Sequence, residues 1–217
     1  MAIRLPARKH ISPTNDEDPL QYYYSPLTGY VYTRRLQLVC ELLGNGPFQN
    51  LLEIGYGSGI LLPELSQRCR HLAAVDIHEQ FHQVYAMLEA EGVEATLHHG
   101  DVRSLPFQDG AFDAVVCISV LEHLVDLDAA VGEISRVLRP QGVVVTGFPV
   151  RNSITSAFYR LVGYDPAKIH PSSHRDILDA IRAGFQLDTA VIFPSFLPMD
   201  LSWYVACRCH ASKEWHQ

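Results

Sequence analysis

Residues 51–61 read "LLEIGYGSGIL". Apolar residues surround one acid, Glu53, and three glycines follow at every second position: Gly55, Gly57 and Gly59. The chain has 14 glycines in 217 residues, so three within five positions mark a backbone that turns tightly or lets something approach it closely. The apolar run before the glycines predicts a buried strand. The "GILLPELSQRC" that follows predicts a helix, with Pro63 near its first turn, where a missing N–H is tolerated. Taken alone, a strand–glycine loop–helix unit fits a plain turn as well as a nucleotide site.

The same rhythm continues outward. "HLAAVDIH" predicts a second strand, "HEQFHQVYAMLEAEG" a helix closed by Gly92, and "EATLHHGD" a third strand. "FDAVVCISV" is continuously apolar, as strands buried on both faces are. "DLDAAVGEISRVLRPQG" predicts a helix ended by Pro140 and Gly142, followed by a fifth strand in "GVVVTGFP". "HRDILDAIRAGF" predicts a helix with Ser172 or Ser173 as its cap. "FQLDTAVIFP" and "LSWYVACRCH" predict two last strands with no helix between them. Upstream, Leu36, Val39, Leu42 and Leu43 recur at helical spacing and predict a helix over about 29–43. The expected fold is α/β: a Rossmann-like, seven-stranded, mostly parallel sheet with an antiparallel edge hairpin and helices on both faces. Residues 1–19, rich in Pro, Asp and Asn, predict a flexible arm, and 20–217 a single domain.

Composition narrows the function classes. At 47% hydrophobic and 19% charged, the chain can bury a full core and is neither disordered nor membrane-like. The formal charge of −7 argues against nucleic acid as the main partner. No apolar run approaches the ~20 residues that span a bilayer, and no apolar signal centre opens the sequence. Five scattered cysteines read as reduced thiols. A cytoplasmic location is the expectation.

Three acids give the glycine loop its meaning. In an open α/β sheet, ligands bind beyond the carboxyl ends of the strands. Asp76 ends the second strand, where an acid accepts hydrogen bonds from a ribose diol or caps a helix. Asp101 ends the third, where it accepts from an adenine amino group, with the Val102 amide near a ring nitrogen, or forms a turn. Glu53 lies inside an apolar strand and needs a partner, either a ligand ammonium or the loop amides.

The segments "LLEIGYGSG", "AAVDIH", "GDVRSLPFQDGAFDAVVCISVLEHL" and "RVLRPQGVVVTGFP", in this order, resemble the class I S-adenosylmethionine-dependent methyltransferases. Within them, they resemble the small-molecule enzymes with an "LPF…FD…LEH…LRPGG" pattern. The resemblance covers about 50–150. It implies that Gly55, Gly57 and Gly59 line the methionine moiety and that Glu53 holds its amino group. Asp76 would bind the ribose, Ile77 pack near the adenine, and Asp101 and Val102 read that base. Cys117, Ile118 and Ser119 would flank the methionine and the sulfonium. Tyr56, bulkier than the usual residue between the first two glycines, would cover the ligand or point to solvent. The implied cofactor is S-adenosylmethionine, with S-adenosylhomocysteine as product, and the implied partner is a small-molecule methyl acceptor.

His123 in "VLEHL" is the base candidate, since it follows the fourth strand and histidine titrates near neutrality. In the similar phosphoethanolamine methyltransferases a histidine of this stretch works with an N-terminal tyrosine. Tyr22, Tyr23, Tyr24, Tyr30 and Tyr32 are available here, Tyr24 and Tyr30 being the named candidates. Residues 20–45 would form a cap and 150–174 an acceptor-side insertion. The insertion contains Arg151, Asn152, Tyr159, Arg160, Tyr164, Lys168, His170 and His174, suited to a phosphate or carboxylate or to a solvated face. No metal site is expected. "CRCH" with His216 reads as buried strand cysteines, and His98 and His99 face opposite sides of a strand. The alternative function is a cofactor-binding member of the same fold with a regulatory or non-transfer role. A nicotinamide oxidoreductase fits the glycine spacing and the last two strands less well.

Overall fold

The computed structural model describes residues 3–15, 18–152 and 170–211. The strands are β1 (Phe48–Ile54), β2 (Cys69–Asp76), β3 (Thr96–His99), β4 (Phe112–Ile118), β5 (Leu138–Pro149), β6 (Phe185–Phe193) and β7 (Tyr204–Ala211). They form one seven-stranded sheet in the order β3-β2-β1-β4-β5-β7-β6. The pairings among β1 to β5 are parallel. β7 inserts between β5 and β6, antiparallel to both, so the expected terminal pair is present with its last strand inside the sheet.

Helices cover both faces. α1 (Leu20–Tyr23), α2 (Gly29–Leu43), α3 (Leu62–Leu65) and α4 (Phe81–Glu91) pack on one, through Leu36, Val39, Leu62, Val84 and Met87. α5 (Leu127–Val137) and α6 (His174–Gly184) pack on the other, through Val131, Ile134, Ile177 and Ile181. Alternation along β1 sends Leu51 to the first core and Leu52 to the second. Gly92 closes α4 in the left-handed region, at φ 63°. Ser173 caps α6 in a reciprocal capping box with Asp176.

Three readings change in detail. The helix after the glycine loop is a single turn, Leu62–Leu65, continued by a 3-10 turn, Ser66–Arg68. α5 ends at Val137, and Pro140, Gln141 and Gly142 already belong to β5, where the register against β4 shifts between Phe112 and Ala114. Gln141 takes a positive φ of 65° in that bulge. Residues 3–15, expected as part of an arm, lie against the body. Ile11 is 2% exposed, and Glu91 at the end of α4 accepts from the Ala7 amide at 2.8 Å and meets His10 Nδ1 at 2.8 Å. Most of the expected insertion, including Tyr159, Arg160, Tyr164 and Lys168, lies outside the described residues. Among the described residues no helix is long and apolar enough to cross a membrane.

Candidate active site

The carboxyl ends of β1, β2 and β4 meet where the glycine loop leaves β1. Gly55 donates to Val75 O at 2.8 Å, which ties the loop to β2. The Gly57 amide donates to Asp76 Oδ2 at 2.8 Å, and the Gly57 carbonyl faces His78 Nε2 at 2.9 Å. Gly57 takes φ 50°, and a methyl group added there would meet nothing within 4 Å. The space beside its Cα is therefore open. Gly59 is different: at φ 79° an added carbon would press on Met87, Val84 and Leu62, so this glycine lets the next turn pack on α4.

Glu53 is 4% exposed, and its Oε2 has no hydrogen-bond partner. Burial, and then the charge of Asp76, push its carboxyl well above the usual range. A buried acceptor without a donor costs about 1–3 kcal/mol, so a group that supplies a proton and a positive charge is the natural complement. Asp76 already accepts from the Gly57 amide and, at 3.3 Å, from the His78 amide. Each oxygen keeps a lone pair for a hydroxyl. These three features, an orphaned acid, a conformationally demanding glycine edge and an acid at the end of β2, fit the amino group, backbone and ribose of the expected cofactor.

The remaining expected cofactor residues are placed as follows. Ile77 is 71% exposed beside Asp76. Asp101 is engaged by Arg103, whose side chain and amide both donate to it and hold its carboxyl below the usual range. An adenine amino group would have to share that carboxylate with the guanidinium. Val102 is buried. Tyr56 does not point to solvent: it is 3% exposed, belongs to the core and sets its ring edge-on to His78 at 4.9 Å. Cys117 is buried, and Glu122 and then Glu53 add to the burial that raises its thiol. Ile118 packs on the α2 side, and Ser119 takes a positive φ of 54° while its amide donates to Gly147 O at 2.7 Å. A non-glycine residue in that region is uncommon and is held by its surroundings.

Sequence reasoning missed Arg35. From the middle of α2 it reaches across to donate to Ser119 Oγ at 2.5 Å. Its guanidinium lies 5.1 Å over the Tyr32 ring and 4.6 Å over the Tyr204 ring. Enclosure works against its charge, but Tyr204, Tyr23, Tyr32 and Glu122 outweigh that and hold its pKa above the ordinary value. Its Nε has no partner. A fixed cation with a donor to spare, next to Ser119, suits a carboxylate. No local pattern announces it, because its hydrogen-bond partner Ser119 lies 84 residues away and Tyr204 farther still.

His123 ends a 3-10 turn after β4 (Leu121–His123) and is exposed at the crevice edge. Its ring meets that of His170 edge-on at 5.0 Å. Burial, helped by His123, Arg35 and Arg151, pushes His170 down to about 4, so it is neutral near pH 7. Glu122 is 2% exposed and its Oε2 has no partner; burial raises its carboxyl, with His123 acting the other way. The donor atoms of Glu122, His123 and His170 all lie within 4.8 Å of one another. The candidate tyrosines point elsewhere. Tyr24 donates to Pro6 O at 2.7 Å, and Tyr30, 71% exposed, faces Phe193. Cys207 and Cys209 are buried strand residues, as expected, and His216 lies outside the described residues. A surface groove of about 460 Å³ lined by Arg70, His71, Tyr85 and Glu94 lies at the amino ends of β2 and β3, away from these groups.

Residues 52–146 match the family model described as "Methyltransferase domain". A protein of Mycolicibacterium smegmatis named "Probable S-adenosylmethionine-dependent methyltransferase" is 30% identical over 147 residues, 67% of this chain and 55% of that protein. A ubiquinone biosynthesis O-methyltransferase of Alkalilimnicola ehrlichii is 32% identical over 121 residues, 54% of this chain and 49% of the relative. The chain thus spans about half the length of the curated relatives it matches. Among solved structures, the N-methyltransferase NodS of Bradyrhizobium japonicum, in complex with S-adenosyl-l-homocysteine, superposes with a TM-score of 0.66 at 19% identity, covering 93% of this chain and 95% of that one. With the strand order and the glycine loop, these matches establish that the chain belongs to the class I S-adenosylmethionine-dependent methyltransferases.

Proposed function

We propose that this chain transfers a methyl group from S-adenosylmethionine to a small-molecule acceptor. The observation that carries the reading is the orphaned Glu53 carboxylate beside the glycine loop, with Asp76 one strand away. The cofactor supplies a methyl carbon already activated by its sulfonium, ready for in-line displacement. Glu53 would bind its ammonium, and Arg35, with a spare donor, its carboxylate. Asp76 would bind the ribose and Asp101 with Val102 the adenine, Arg103 moving aside or sharing the carboxylate. Ser119, fixed by Arg35 and Gly147, shapes the wall near the sulfur. The protein's contribution is alignment and exclusion of water. His123, exposed after the fourth strand, would take a proton from a hydroxyl or ammonium acceptor. The net charge of −7 favours a small metabolite over nucleic acid, and a cytoplasmic location accords with five unpaired cysteines.

Calorimetry with S-adenosylhomocysteine, together with transfer of a labelled methyl group to a panel of metabolites, tests this. The wild-type chain should bind the product cofactor, and Asp76→Ala should lose about 1–3 kcal/mol of that binding. Absence of binding refutes the reading. Binding without transfer to any acceptor favours the regulatory or non-transfer alternative.

A further inference from the structure

Glu122, His123 and His170 come from two distant stretches, yet the fold fastens those stretches together. The Ser172 amide donates to Glu122 O at 3.4 Å, and Ser172 Oγ donates to Leu124 O at 2.5 Å. Arg151, just beyond β5, holds the same segment by donating to His170 O at 2.7 Å. The turn carrying Glu122 and His123 and the segment carrying His170 are therefore fastened through their backbone carbonyls, and the side-chain juxtaposition follows from that.

We propose that Glu122, His123 and His170 form a binding site for a divalent transition-metal cation on the acceptor side of the crevice. Two imidazoles and one carboxylate are a complete facial donor set for such an ion and leave positions open for other ligands. Their donor atoms lie within 4.8 Å of one another, against about 3–4 Å for ligands sharing one ion at about 2.1 Å. His123 is the exposed member, so a rotation of its ring is the movement that would close the difference. Glu122 is the stronger indication: a carboxylate 2% exposed, with an oxygen that no donor meets, is costly without a cation or proton.

The surroundings select the metal. The Arg35 and Arg151 charges both reach His170, and Arg35 also reaches Glu122. They oppose a hard ion held mainly by charge, such as Mg²⁺. Bonding to two imidazoles favours Fe²⁺, Co²⁺, Ni²⁺ or Zn²⁺. A histidine nitrogen that ligates a metal has no lone pair for a proton. With the site filled, His123 is a ligand, and an acceptor oxygen on the cation would become acidic at the metal. The site's existence is independent of the methyl-transfer reading; its use in activating an acceptor rests on that reading.

Cobalt provides the test. The full chain, stripped with a chelator, is titrated with Co²⁺ while its visible ligand-field absorption is followed, and Zn²⁺ is then added as competitor. One equivalent of Co²⁺ should bind and be displaced by Zn²⁺. His170→Asn and Glu122→Gln should each weaken Co²⁺ at least tenfold. His123→Asn, at an exposed position, provides the same readout without disturbing the core. S-adenosylhomocysteine affinity, measured on the same preparations, reports whether the cofactor half is intact. Weakened Co²⁺ with unchanged cofactor affinity supports the site. Failure of the wild-type chain to bind one equivalent, or wild-type Co²⁺ affinity in His123→Asn, overturns it. Co²⁺ binding in a chain that does not bind S-adenosylhomocysteine would leave the cation site standing and the methyl-transfer reading refuted.

Discussion

At the scale of single residues, Glu53 carries the sharpest consequence, because its burial ties stability to ligand binding. Its folded carboxyl titrates well above 4.5, raised first by burial and then by Asp76. Between 4.5 and that raised value the folded chain holds a proton that the unfolded chain has released. The folded state therefore loses stability as pH rises above about 4.5 and is unaffected by Glu53 below it. Glu53→Gln removes the ionisable group while keeping the shape. The variant should match the parent below pH 4.5 and exceed it near neutrality by about 1 kcal/mol, read from urea midpoints across pH. It should also bind S-adenosylhomocysteine at least tenfold more weakly, since the ammonium loses its counter-charge. Identical pH slopes for the two proteins would show that Glu53 is ionised in both states. Glu53 was legible in the sequence because one acid interrupts an apolar strand next to three glycines. Tyr56 was not, because a tyrosine in a loop carries no sign of the side it faces, and its burial depends on the distant His78 and α4.

At the scale of elements, the site is assembled where β5 and β7 run side by side beneath α2. Gly147 on β5 is a glycine because Tyr204 on β7 takes its place: an added carbon would lie 2.2 Å from Tyr204 Oη and 3.0 Å from Val39 on α2. Tyr204 is 1% exposed and its ring supports Arg35, so it has no room to swing aside. Gly147→Ala should cost about 1–3 kcal/mol in a denaturation midpoint, the usual penalty for overpacking a core. Combining it with Tyr204→Phe removes the nearest clashing atom. The double variant should be more stable than the sum of the two single changes, a coupling that a mutant cycle measures directly. Strict additivity would mean that the strands part instead of compressing. β1 to β5 were legible as apolar runs separated by helical periods. The insertion of β7 was legible only as an antiparallel ending, since strand order is a long-range choice that no local pattern encodes. Arg35 was hidden for the same reason, as its contacts join α2 to β7 and to the end of β4.

At the scale of the whole molecule, the N-terminal stretch has turned from expected arm into packing element. Its prolines and charges read as loose chain. Ile11 nonetheless enters the core beside Leu20, and Arg4, Ala7 and His10 all converge on Glu91. Single buried residues in a polar stretch are invisible to periodicity, which needs several turns or alternations to register. The Glu91 carboxyl is held below its usual range, first by the Ala7 amide and then by His10. That contribution is complete at neutral pH and is lost only as pH falls below about 4.5. Deleting residues 1–11 at pH 7 should therefore destabilise the chain by about 2 kcal/mol or more, because the Ile11 side chain alone accounts for that much burial. A free arm would be removed at no cost. Limited trypsin digestion provides the complementary reading. Arg4, Arg8 and Lys9 are all cleavable in sequence, yet a docked segment is cut only when it opens. In the intact chain, cleavage at these three positions should be slow and should accelerate in Glu91→Gln, which weakens the common anchor. Equal rates in the two proteins, with no loss of stability on truncation, would return this segment to the status of an arm and leave the Glu91 contacts without energetic weight.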